Sequence, residues 1–286
     1  MSVTEANRKM FDEMAASYDI KPWQLKIGAQ ISTAFLSSIP WLDVAGLSVD
    51  SPDNDSPEHK VRLLDYACGT GAVSRALEPY VDVIRGIDLS SGMVEIFTRR
   101  FAEDRESAEK AGEVKRCKDI RAVVGDLFAS PPELQLGEQE EHEGEFLNFD
   151  IVTVAGAYHH FEDVALATKR LVERLRPGGV LAVVDFLHGE GENEHAHHHH
   201  HHHGHGHEHQ QNSGKEIDEQ HKAMLPETVR KAINVFGFDE NGMRALFEES
   251  GLTDFGFKVM EEKLRIEFDD KEMFRTWFLA KGRKPL

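Results

Sequence analysis

Apolar residues along this chain fall into two regimes, short runs bounded by turn residues and longer stretches spaced at three and four, so strands and helices are expected to alternate. The runs at 61–66, 81–88, 120–124, 150–154 and 180–186 predict strands, and helices are expected near 72–80, 91–110 and 162–175. Such alternation implies a parallel sheet with right-handed crossovers and helices on both faces. Further on, 222–238 and 240–250 carry helical spacing, the latter with Met243, Leu246 and Phe247 on one face and Gly251 as a stop. Stretches 255–260 and 273–280 read as strands. A closing hairpin would bring the last one back antiparallel, an ordinary mixed edge.

Ahead of the first strand, Met10, Phe11, Met14 and Tyr18, then Leu25, Ile27, Ile31 and Phe35, sit at helical spacing broken at Pro22. Residues 1–42 are therefore expected to form a helical cap on a domain running over 61–286. Residues 43–59, rich in Ser, Pro, Asp and Asn, and the acidic stretch 131–145 predict exposed connections. Arg176, Pro177, Gly178 and Gly179 supply a helix stop and a tight turn before the fifth strand. A histidine-rich insertion lies near 189–214. Its run at 195–209 fixes no coordination geometry, and the expectation is a solvated, disordered insertion with at most adventitious divalent metal and no built metal site.

Chemistry enters at the strand ends. The first strand runs into LLDYACGTG, where Asp65 meets the carboxyl edge of the sheet and Gly69 and Gly71 let the backbone approach a ligand. A second strand ends at Asp88, followed by Ser90 and Ser91 as helix N-caps, and a third ends at Asp126. Three acids on one edge suit a ligand with ribose hydroxyls and an exocyclic amine, because carboxylates accept hydrogen bonds from both. A dinucleotide site fits less well: Ala67, Gly69 and Gly71 alternate, and Ser74 stands where a third glycine would fall.

The net charge of −18 opposes a phosphate-backbone partner, so nucleic acid is not an expected substrate. No apolar run is long enough to span a bilayer, and the first ten residues hold no apolar signal core. A cytoplasmic protein is expected. The two cysteines, Cys68 and Cys117, make no disulfide framework, and Cys68 reads as a small packing residue inside the ligand turn.

In this order the segments DYACGTG, GIDLSSGMV, VVGDLF, FDIVTVAGAYHHF and LRPGGVLAVVDF resemble the class I S-adenosylmethionine-dependent methyltransferases. Within that class the chain is similar to the small-molecule group akin to the ubiquinone and menaquinone biosynthesis methyltransferases, from about Phe11 to Pro285 apart from the loop at 43–59 and the histidine-rich insertion. The resemblance implies a Rossmann-like α/β fold, with a seven-stranded, mostly parallel sheet and an antiparallel edge strand. It also implies S-adenosylmethionine as cofactor. Asp65, Ala67, Gly69 and Gly71 would then lie along its methionine and ribose portion. Asp88 would hold the ribose hydroxyls, with Leu89 and Met93 near the adenine. Asp126 would accept from the adenine amine, with Leu127 beside the ring. Ala155 and Gly156 would offer backbone contacts to the methionine end, and Tyr18 would close over the cofactor. Ala67 replaces a common glycine; a small shift is expected there, given a negative φ.

Methyl transfer from a sulfonium mainly demands alignment and exclusion of water, and a base only for a protonated acceptor. His159 and His160, after the fourth strand, are the catalytic candidates on the acceptor side; His188 and His221 are weaker ones. The acceptor pocket is expected from residues 10–23, those after Phe186 and those over 224–238, with Trp23, Met224, Phe236 and Phe238 as an apolar wall. A small, apolar methyl acceptor follows, its reacting atom O, S, N or C. The alternatives are a protein methyltransferase and a non-catalytic metal-binding or scaffold protein on the same fold.

Overall fold

Successive strand residues point to opposite faces, and in β1 (Arg62–Tyr66) both Leu63 and Leu64 are fully buried, so the sheet is covered on each side. The computed structural model describes residues 2–47, 60–113, 115–136, 143–188, 219–268 and 271–286. The histidine run and most of the expected 43–59 loop lie outside the described residues.

From the N-terminus come α1 (Val3–Met14) and α2 (Pro22–Leu42), then β1, α3 (Ala72–Leu77), β2 (Val83–Asp88), α4 (Ser91–Ala111), β3 (Asp119–Asp126) and a short β4 (Glu133–Leu134). After them run β5 (Phe149–Ala155), α5 (Val164–Arg174), β6 (Leu175–Phe186), a helical segment α6 at 219–224, α7 (Glu227–Ala232) and α8 (Glu240–Glu249). The chain closes with β7 (Thr253–Val259), β8 (Leu264–Phe268), β9 (Lys271–Arg275) and β10 (Trp277–Arg283). Asp163 and Asp239 cap α5 and α8 by accepting from the Leu166 and Gly242 N–H groups.

The main sheet has eight strands in the order β4-β3-β2-β1-β5-β6-β10-β7. β3, β2, β1, β5 and β6 pair in parallel, and β10 runs antiparallel to β6 and β7, as the closing hairpin predicts. The expected count of seven becomes eight because Glu133 and Leu134 pair with Asp126 and Gly125 inside the acidic connection. Two further departures concern the C-terminal third. The stretch 273–280 is not one strand: it breaks at Thr276, and its first part pairs with β8 as a separate two-stranded hairpin. The stretch 222–238 is not one helix either, because Pro226 opens a new helix and residues after Ala232 leave it, reaching a parallel bridge between Phe238 and Leu187.

One face packs α2, α3 and α4 against the sheet through Phe35, Leu77 and Phe97. The other packs α5 and α8 through Leu171 and Phe247. Chain order reverses between β1 and β5, which opens a crevice at their carboxyl ends, the usual ligand position in such sheets. Among the described residues no helix is long and apolar enough to cross a membrane.

Candidate active site

The turn after β1 is braced from inside. Asp65, 2% exposed, accepts from the Ser74 N–H (3.2 Å), the Ser74 hydroxyl (2.7 Å) and the Thr153 hydroxyl (3.2 Å), tying β1 to α3 and β5. Asp88, at the end of β2, accepts from the N–H groups of Gly69 (2.8 Å) and Ser90 (2.9 Å), joining two ligand loops. Gly69 and Gly156 have φ of 51° and 64°, and a Cβ on either would meet nothing within 4 Å, so both open onto the crevice. Gly71 instead faces Phe97 and Phe101 in the core. Residue 67 departs from expectation: its φ is +56°, not negative, so this alanine occupies a left-handed conformation costing about 1–2 kcal/mol. The Cys68 N–H bond to the Ile87 carbonyl (3.1 Å) holds the turn in that shape.

Two adjoining cavities fill the crevice. The first, about 450 Å³, is bordered by Asp88, Leu89, Met93, Asp126, Ala155 and Gly156. Phe128 lines it where Leu127 was expected; Leu127 is fully buried in the core. Phe128 stands 4.7 Å from the Tyr66 ring and 4.8 Å from Phe161, so this end of the cavity is aromatic. The second, about 230 Å³, lies under α1 and α2 and is roofed by the β8–β9 hairpin. Phe11, Tyr18, Ala67, Gly69, Ala155, Gly156 and His160 border both. Asp88 and Asp126 thus share a cavity, whereas Asp65 borders only the second, behind the turn. Of the expected acceptor wall, Trp23 and Phe236 line the second cavity. Met224 packs in the roof, Phe238 lies in the core near Tyr158 and Phe278, and His188 and His221 border neither cavity.

The N-terminal cap is held down by two acids that the sequence pattern did not single out. Asp12 accepts from the Ser90 hydroxyl (2.6 Å) and the Gly92 N–H (3.2 Å), and Asp19 binds the Thr70 hydroxyl and the Arg100 guanidinium. A third missed acid, Asp185, sits near the end of β6 with His159 Nδ1 at 2.9 Å. Its signal was present, since it is another carboxylate ending an apolar strand.

Burial governs the titration of the site. Tyr18 is pushed up to about 12, by burial first and then by Asp19 and Asp88. His160 is pushed down to about 3 by burial and by His159, and its Nδ1 donates to the Ala232 carbonyl (2.7 Å). Asp65 and Asp88 are each pushed up to about 6 by burial. For an acid whose folded value exceeds its ordinary 3.8, stability is full below 3.8 and lost as pH rises through about 6. Replacing such a group removes that loss. Asp65→Asn is expected to gain about 2–3 kcal/mol relative to wild type between pH 4 and 7.5, read by urea unfolding of the unliganded protein.

Among known proteins, a methyltransferase domain matches residues 64–181 of the chain. Among its relatives is an uncharacterized methyltransferase of Schizosaccharomyces pombe, 28% identical over 205 residues, covering 65% of this chain and 66% of that protein. Another is a demethylmenaquinone methyltransferase of Thermus thermophilus, 30% identical over 62% of this chain and 64% of the relative. The alignments span about two thirds or less of these relatives' length. The fold is that of the YcgJ protein of Bacillus subtilis, with a TM-score of 0.54 at 16% identity over 90% of this chain and 99% of the other. Magnesium protoporphyrin IX methyltransferase of Synechocystis, solved with S-adenosylhomocysteine, gives 0.53 at 14% identity over 98% and 99%.

S-adenosylmethionine is the cofactor that the methyltransferase domain implies, and the residues present fit it. Two carboxylates and an aromatic wall share the larger cavity, and the open side of Gly69 and Gly156 leaves room where any side chain would intrude. Among the described residues no group of three or more His, Cys, Asp or Glu could hold a metal ion.

Proposed function

We propose that this protein transfers a methyl group from S-adenosylmethionine to a small, apolar acceptor by in-line displacement. The observation that carries the proposal is the shared wall of the two cavities: the cavity holding Asp88 and Asp126 meets the one under α1 and α2, lined by Met10, Met14, Trp23 and Ile27, at Tyr18, Ala155, Gly156 and His160. When bound, the cofactor supplies a methyl group on a positively charged sulfur. Asp88 accepts from the ribose hydroxyls and Asp126 from the adenine amine, while Leu89, Met93 and Phe128 enclose the ring. Backbone groups of Ala155 and Gly156 take the methionine end, and Tyr18 closes the neck. His159 and His160 border the acceptor: His159 is the candidate for proton chemistry, and His160, held neutral and tied to Ala232, positions the wall.

Enclosure favours a small molecule over a protein side chain, since α1 and α2 lie over the second cavity and Met10, Met14, Trp23 and Ile27 face it. Quinone-type relatives, such as the Thermus demethylmenaquinone enzyme, support an apolar acceptor. A screen of phenols, thiols and amines with methyl-labelled cofactor, read by product mass, tests the reading. Label in a small-molecule product is expected. Label found only on added protein, or transfer to nothing despite cofactor binding, would contradict it.

A further inference from the structure

Helix α2 lays one stripe of residues along the second cavity, where Trp23, Gln24, Ile27, Gly28 and Ile31 all border it. On such a stripe a polar residue is out of place. Gln24 is 7% exposed, and its Oε1 is buried with no hydrogen-bond partner among the described residues. An amide oxygen in that state costs stability, because it has given up water and received nothing in exchange. Gln24 also borders an outer cavity lined from α2 and α3, together with Asp19 and Thr70, but its oxygen is shielded from solvent on that side too. Space is left beside the amide. One turn along, Gly28 carries no side chain, and a Cβ added there would meet only the Ala72 Cβ, at 3.8 Å.

The other polar groups of this wall have partners. Asp19 holds Thr70 and Arg100, and Asp65 holds Ser74 and Thr153. Asp185 accepts from the N–H groups of His159 and Phe186, His160 donates to the Ala232 carbonyl, and Arg275 donates to the carbonyls of Leu187 and Phe236. Among the described residues, Gln24 Oε1 is the one buried side-chain oxygen or nitrogen on the wall that lacks a partner. Its position decides what it can bind. The neck between the two cavities is formed by Tyr18, Ala155, Gly156 and His160, whereas Gln24 does not border the cofactor cavity at all. A group docked on Gln24 is then a second one, apart from the reacting atom at the neck.

Resting on the methyl-transfer reading above, we propose that the acceptor is an apolar molecule with a second polar group, an O–H or N–H away from the atom that is methylated, and that Gln24 selects it by accepting that hydrogen bond at Oε1. Trp23, Ile27 and Ile31 take the apolar body. An oxygen that can only accept is satisfied by a donor, and a methyl group in the same place leaves it orphaned. A site built in this way discriminates chiefly by refusing the analogue that lacks the donor.

The test uses naphthalene-2,6-diol and 6-methyl-2-naphthol, two-ring phenols that differ by one hydroxyl in place of a methyl, titrated by fluorescence into protein saturated with S-adenosylhomocysteine. Wild type is expected to bind the diol about 20-fold more tightly. Gln24→Met, unbranched and of similar length, is expected to bring that ratio to about one or below, while the melting temperature holds or rises because the orphaned oxygen is gone. Gln24→Asn, which withdraws the amide by one carbon, is expected to lose most of the preference as well. Equal affinity for the two probes in wild type, an unchanged ratio in both variants, or binding of neither probe would overturn the proposal. Calorimetry of S-adenosylhomocysteine keeps this apart from the methyl-transfer reading: all three proteins are expected to bind it alike, and failure of that binding counts against methyl transfer, whereas a missing probe preference alone counts against Gln24.

Discussion

Asp88→Ala is expected to weaken S-adenosylhomocysteine binding about 100-fold, which corresponds to about 2.7 kcal/mol. Hydrogen bonds to an ionised carboxylate are each worth about 1.5–3 kcal/mol, and a ribose offers two hydroxyls to one acid. The same carboxylate holds the N–H groups of Gly69 and Ser90, so its loss also frees the two loops that flank the cavity. Stability should not follow affinity. Burial raises Asp88 to about 6, so at neutral pH its ionised form is a burden on the unliganded fold. Calorimetry paired with thermal unfolding separates the effects: affinity falls while the melting temperature holds or rises. An affinity within threefold of wild type would remove Asp88 from the ribose site.

Gly71→Ala should act in the opposite sense, destabilising the fold by about 3–5 kcal/mol. At φ 91° an alanine is strained, and its Cβ would stand 2.9 Å from Phe97 Cδ2 and 3.0 Å from Phe101 Cε2. Phe97 and Phe101 are almost fully buried, so neither ring has free space to yield into. Gly71 also opens α3 and donates its N–H to the Cys68 carbonyl (2.9 Å), so displacing it disturbs the ligand turn. Urea unfolding measures the loss. A change below about 1 kcal/mol would mean that the turn accommodates a left-handed alanine here as it does at Ala67.

The sheet was legible because each parallel strand is an apolar run ended by an acid or a small-residue turn. That signal located Asp65, Asp88 and Asp126 at one edge and set all three around one ligand, whereas only the last two share a cavity. It said nothing of depth. Asp65 is consumed by Ser74 and Thr153, and which of Leu127 and Phe128 faces the ligand depends on how the chain leaves β3. Backbone strain was also hidden, since a positive φ at Ala67 is imposed by the turn's hydrogen bonds and not by residue type. Long-range pairs were the least readable. His159 and Asp185 lie 26 residues apart, on different crossovers, and meet only because β5 and β6 are neighbours. The C-terminal third misled for a related reason: apolar spacing over 222–238 serves a roof built from a short helix and an extended arm, not one continuous helix.

A crystal structure with S-adenosylhomocysteine tests the central arrangement most directly. The expected result has the ribose hydroxyls on Asp88, the adenine amine at Asp126 with its ring beside Phe128, and the sulfur at the neck by Tyr18 and Gly156, turned toward His159. Adenosine lodged instead in the apolar cavity under α2, or ribose hydroxyls bound away from Asp88, would contradict it.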